Sequence, residues 1–180
     1  MPLQLEIVTP KGKALAVECD EMTAPSIVGE FGVLPGHVPV LAGLRTGLVT
    51  YKKGGETKTC AVGAGFAEVL DDKVVLLTDE FADKESIDPV AVHKELAASQ
   101  AAFEKAQSKA DLENGGIDDP ELRALAARMN WLVTELELYG EPPVAMVRFL
   151  EENGARSASQ HDPDVYVEAQ DAMAAAEEAK

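Results

Sequence analysis

Over the first 86 positions, apolar and polar residues alternate with a period of two. Leu3, Leu5 and Ile7 alternate with Gln4 and Glu6, and Leu15, Val17 and Cys19 repeat the pattern. A strand sends successive side chains to opposite faces, so this alternation predicts strands with one buried face. The apolar segments 48–51 and 57–62 flank Lys52-Lys-Gly-Gly-Glu56, and segments 66–70 and 74–78 flank Asp71-Asp-Lys73. Both arrangements predict hairpins. Gly63-Ala-Gly65 predicts a bend or bulge where a strand changes direction. Many short strands with closely spaced turns predict a β-sandwich or flattened barrel.

At Ile87-Asp-Pro89 the period changes. Asp88 suits a helix N-cap, and Pro89 suits the first helical position. Val92, Leu96, Phe103, Ala106 and Ala110 then fall on one helical face. Asn114-Gly-Gly116 stops this helix and Asp119-Pro120 repeats the start signal. Leu122, Leu125, Ala126, Met129, Leu132, Val133 and Leu136 form a cleaner stripe, closed by Tyr139-Gly140 and Pro142-Pro143. Two such helices joined by a short link predict an antiparallel hairpin. A pair of helices alone buries little area, so this hairpin should rest on another surface or be able to leave it. The expected organisation is a sandwich over 1–86, a helical hairpin over 87–140, and an extra acidic tail over 141–180, partly disordered or forming a short helix. The fold class is thus α+β with segregated domains.

Composition narrows the function. The 180 residues carry a net charge of -16, from 32 acidic and 16 basic residues. Phosphates would be repelled, which disfavours nucleic acid or anionic lipid as a direct partner and favours a partner with a basic surface. Cys19 and Cys60 fall in apolar segments and are expected as buried free thiols. No signal peptide is expected, and no apolar run approaches the ~20 residues that span a bilayer. Membrane association would then come only through other subunits. No nucleophile–base pair, metal-ligand spacing or Walker-type loop is evident. His37, His93 and His161 lie in three different regions. No catalytic role, cofactor or metal is therefore expected.

The densest information lies in Gly29-Glu-Phe-Gly-Val-Leu-Pro-Gly-His37-Val-Pro-Val-Leu41. Its glycines and prolines argue against a helix or a regular central strand. Two readings follow. It is a shaped, packed loop presenting Glu30 and His37 at a surface, or a tight crossover between two strands.

Gly29-Glu-Phe-Gly-Val-Leu-Pro-Gly-His37, with Leu41 and Leu44-Arg-Thr-Gly47, resembles the signature of the ε subunit family of F-type ATP synthases, whose mitochondrial counterpart is called δ. Leu3-Gln-Leu-Glu-Ile-Val-Thr-Pro10, Val62-Gly-Ala-Gly-Phe-Ala-Glu-Val69, Val74-Val-Leu-Leu-Thr-Asp79 and the paired helices resemble the same family in order and spacing. The likeness spans roughly residues 3–140. It implies about ten strands in the sandwich and a non-catalytic rotor subunit of the central stalk. Such a subunit binds the γ subunit, fastens it to the c-ring, and couples ring rotation to the catalytic head. It implies Glu30 and His37, supported by Phe31 and Val33, as c-ring contacts. It also implies a hairpin that restrains ATP hydrolysis by extending into the α/β head, with Asp88, Arg123 and Arg128 as its regulatory residues. The expected site is the cytoplasmic face of a bacterial inner membrane, or the stromal face of a thylakoid.

Two departures matter. The family's ATP-binding motif at the start of the first helix, Ile/Leu-Asp-x-x-Arg-Ala, reads Ile87-Asp-Pro-Val-Ala91-Val92 here. Ala91 removes the phosphate-facing charge, so tight ATP binding is not expected. Only Arg123 and Arg128 supply positive charge on the second helix, so docking on an acidic segment of the head should be weak. The competing readings are an adaptor module of another assembly, since fold alone does not fix function, and a small hydrolase or nucleotide-binding enzyme.

Overall fold

The computed structural model describes residues 2–112 and 119–140, with side chains from 109 to 112 excepted. The Asn114–Gly116 link and the tail over 141–180 lie outside the described residues, as does the side chain of Ala110. Ten strands come first: β1 (Leu3–Thr9), β2 (Gly12–Cys19), β3 (Glu21–Ser26), β4 (Gly29–Val33), β5 (Val40–Leu44), β6 (Gly47–Lys53), β7 (Glu56–Val62), β8 (Gly65–Leu70), β9 (Lys73–Thr78) and β10 (Phe81–Asp83). Two helices follow, α1 (Pro89–Leu112) and α2 (Pro120–Tyr139).

The strands form one hydrogen-bonded path, β10-β7-β6-β3-β5-β8-β9-β1-β2, with β4 added on β3. It folds over on itself as a sandwich, close to a barrel. Every pairing is antiparallel except β1 with β9. The predicted alternation is what fills the interior. Leu3, Leu5 and Ile7 meet Met22, Val33, Val49, Val62, Val69, Val74 and Leu76 in a core drawn from both layers. Cys19 and Cys60 are free thiols buried in it. Burial pushes the Cys60 thiol up to about 12, which leaves it protonated and unreactive.

Both predicted hairpins form. Gly54 and Gly55 supply the positive φ values that the twist of a tight β-turn requires, and Asp71 and Asp72 adopt them without being glycine. At the bend before β8, Gly65 has φ +158°, and a Cβ there would lie 1.9 Å from the Leu77 carbonyl oxygen. Only a residue lacking Cβ lets β8 approach β9 this closely.

Asp88 Oδ1 accepts from the Val90 and Ala91 amides at 3.0 and 3.3 Å, and Asp119 Oδ1 accepts from Glu121 at 2.7 Å. These caps satisfy amides that a helix start leaves unpaired. The α1 stripe is buried at Val92, Leu96, Ser99 and Phe103. The single stripe expected for α2 is too narrow. Trp131, Thr134 and Leu138 are buried as well as Met129, Leu132, Val133 and Leu136. The C-terminal half of α2 is covered on two sides, by α1 and by the sheet. Its seat on the sheet is a cross-strand row, Leu48 opposite Ala61 and Ala61 opposite Ala82. Small side chains there let the helix lie close. Two separate apolar clusters result, one inside the sandwich and one between helices and sheet.

Candidate functional site

The segment 29–41 is neither wholly loop nor a simple crossover. Its first five residues form the edge strand β4, paired with β3 from Met22–Val33 to Ser26–Gly29. An edge strand tolerates glycine where a central strand does not. Alternation along β4 divides the expected contact residues. Glu30 faces solvent, Phe31 is half-buried against the core, and Val33 is fully buried within it. Val33 therefore offers no surface and holds the strand in place from beneath.

The loop proper begins at Leu34. The His37 amide donates to the Leu34 carbonyl at 3.1 Å, and Gly36 has φ +79°. Leu34-Pro35-Gly36-His37 is thus a type II turn, with proline and glycine where that turn needs them. Asp72 Oδ1 accepts from the Gly36 amide at 2.6 Å, tying the loop to the β8–β9 hairpin. His37 is half-buried, its Nδ1 lying 2.7 Å from the Val38 carbonyl oxygen. Leu34 and Val38 stand exposed beside it. The hydrogen bonds fix the loop, and its apolar side chains face outward.

Sequence reasoning missed a second apolar surface. Ile27, Leu41, Phe66 and Leu77 are each more than half exposed, and Val28 is 89% exposed. The Ser26 hydroxyl donates to the Gly29 carbonyl at 2.6 Å and accepts from the Val28 amide at 3.3 Å. That bonding builds the tight turn carrying Ile27 and Val28 outward. Across β5, β8 and β9, Gly43 lies opposite Phe66 and Phe66 opposite Leu77. An open groove of about 680 Å³ runs beside them, lined by Val8, Pro10, Ile27, Gly43, Phe66 and Leu77 among others. Large apolar side chains concentrated on one face of a sheet mark an interaction surface rather than scattered exposure. The signal was present in the strand pattern, where Phe66 and Leu77 occupy outward positions of their alternation.

The third region is the seam between α2 and the sandwich. Arg128 Nη1 lies 3.1 Å from Glu80 Oε1, while its Nε and Nη2 reach Glu95 Oε1 at 2.8 and 2.7 Å. One guanidinium thus joins α2 to the β9–β10 turn and to α1. Burial pushes the Glu80 carboxyl above the ordinary carboxylate range, with Asp79 and Glu95 adding to the rise and Arg128 and Lys11 opposing it. Burial raises Glu135 likewise, against the pull of Arg128. A cleft of about 390 Å³ opens beside them, lined by Lys11, Lys13, Glu80, Trp131 and Glu135 among others. Near the C-terminal end of α2, the Lys84 ammonium sits 5.7 Å from the Tyr139 ring centre. Arg123 is exposed on the first turn of α2, its amide bonded to the Asp119 carbonyl at 3.1 Å. Asp88 acts through its cap on α1.

These surfaces belong to a recognisable lineage. Residues 2–84 match the model of the ATP synthase delta/epsilon chain β-sandwich domain. The ATP synthase epsilon chain of Geobacter metallireducens is 44% identical over 101 residues, 56% of this chain and 73% of the relative. That of Geobacter sulfurreducens is 34% identical over 139 residues, covering 77% of this chain and 94% of the relative. The chain belongs to the ATP synthase epsilon-chain family. The epsilon chain of Nitratidesulfovibrio vulgaris strain DP4 is 40% identical over 124 residues, covering 69% of this chain and 91% of the relative. The fold is shared with a chain of the Euglena gracilis mitochondrial ATP synthase, in its OSCP/F1/c-ring assembly, at a TM-score of 0.59 and 22% identity over 76% of this chain and 79% of that one. Among the described residues no helix is long and apolar enough to cross a membrane. For this epsilon-chain family member, the described surfaces are therefore read as surfaces of a subunit within an ATP synthase.

Proposed function

We propose that the chain is a non-catalytic rotor subunit of the central stalk in a proton-translocating F-type ATP synthase. The observation that carries this is the relatedness to epsilon chains through sandwich and helices together, over 94% of one relative. The sandwich (1–86) is the gripping module and the hairpin (87–140) the regulatory one, in keeping with two separate apolar clusters. The γ subunit takes the apolar face around Phe66 and Leu77. The c-ring takes the β4 edge and its loop, through Glu30 and His37 with Leu34 and Val38 around them and Phe31 supporting. The hairpin, when released, reaches the α/β head and restrains hydrolysis. Ala91 stands where the family's ATP-binding motif carries an arginine, so ATP is not expected to set the hairpin's position. The subunit sits on the cytoplasmic face of a bacterial inner membrane, held there by its complex.

Co-purification tests this. The full chain should hold γ through size exclusion. A Phe66→Glu, Leu77→Glu variant, with an unchanged melting temperature, should lose it. Failure of the unaltered chain to bind γ under all conditions would overturn the reading.

A further inference from the structure

We propose that Arg128 is an ionic pin that keeps the helical hairpin seated on the sandwich, by serving Glu80 of the sheet and Glu95 of α1 with one side chain. This rests on the reading of the hairpin as releasable. Two donors converge on Glu95 Oε1, Nε at 2.8 Å and Nη2 at 2.7 Å, which leaves Nη1 for Glu80 at 3.1 Å. A guanidinium can spread several donors over two carboxylates in this way, whereas an ammonium is a point charge. The pin crosses both junctions that must change when the hairpin leaves the sheet and opens. The apolar seat, where Ala61 and Ala82 share a buried cluster with Trp131 and Leu138, supplies the adhesion, and Arg128 adds a charged tie to it. A cleft of about 390 Å³ opens along the same seam.

Arg128 is faced by Glu80 from the sandwich, Glu95 from α1 and Glu135 from α2, and Asp79 and Lys11 act on Glu80 from the sandwich side. Carboxylates outnumber cations there, so Arg128 also offsets repulsion among the acids that docking brings together. Side-chain exposure of 39% for Arg128, 42% for Glu80 and 49% for Glu95 leaves the pin screened by water. Exposed ion pairs are weak. A pin of that strength biases a two-state element without locking it.

Hydrogen exchange on the full-length chain tests this without any partner. Arg128→Gln should speed exchange of the α2 amides around residues 129–136 by about two- to fivefold, leaving β1 and β9 amides unchanged, whereas Glu80→Gln removes both the tie and the burial cost of the carboxylate and should change exchange less. Combining them should add little beyond Arg128→Gln alone, since both remove one tie. Arg128→Lys should fall between the two states. High salt should loosen α2 in the unaltered chain but not in Arg128→Gln, where it screens the repulsion left among Glu80, Glu95 and Glu135. No acceleration with Arg128→Gln, or an equal effect of Arg128→Gln with and without Glu80→Gln, would overturn the pin. Loss of γ binding is a separate measurement, so failure of the stalk reading would leave these exchange results standing.

Discussion

At the scale of single residues, position within the alternation decides what a side chain can do. Glu30 and Val33 lie three apart on β4, yet one faces water and the other is sealed in the core. Charge reversal at Glu30, or a bulky replacement such as His37→Trp, should lower proton pumping per ATP hydrolysed while leaving the melting transition of the sandwich in place. Loss of fold in both would make the edge structural and remove the contact assignment. Gly65→Ala should behave oppositely, destabilising by about 2 kcal/mol or more in denaturant titration, because its Cβ would collide with the Leu77 carbonyl. The glycines and prolines of 29–41 were legible as a constraint on shape. The strand within them was not, because their density hid an edge position where such residues are permitted. The surface placement of Glu30 and His37 was legible in the loop's composition, while Ile27 and Val28 depend on a serine-built turn that no periodicity reports.

At the scale of elements, the caps, hairpins and helix boundaries followed from local chemistry and could be read directly. The burial of α2 could not. A single stripe describes one contact, and Trp131 and Leu138 are buried by a second contact whose partner, the row Leu48, Ala61 and Ala82, lies far away in the chain. The ion triad has the same origin, since Glu80, Glu95 and Arg128 meet only once the helices are seated. The seam also makes docking depend on pH. The carboxyls of Glu80 and Glu135 are raised by burial under the docked hairpin and should return toward ordinary values on release. The docked form therefore holds more protons. Docking should tighten as pH falls through the raised values toward the ordinary carboxylate range, and loosen as pH rises. Exchange rates of α2 amides, corrected for intrinsic pH dependence, should show this slope, and Glu80→Gln should flatten it.

At the scale of the whole molecule, a rigid sandwich carries two apolar surfaces and supports a helix pair that packs on it through a narrow seat. Cutting the chain after Glu85 removes the cluster around α2 and spares the interior of the sandwich. The shortened protein should fold, and the enzyme containing it should hydrolyse ATP as fast as or faster than the parent. A clear fall in hydrolysis would contradict a restraining hairpin. Family membership was legible from ordered motifs along residues 3–140, because they report the sandwich and the hairpin together. The most direct check of the central claim is the native mass of the purified chain mixed with its γ subunit. A stable one-to-one complex, abolished by Phe66→Glu with Leu77→Glu, is the predicted result. Two free species at every concentration and salt would contradict it.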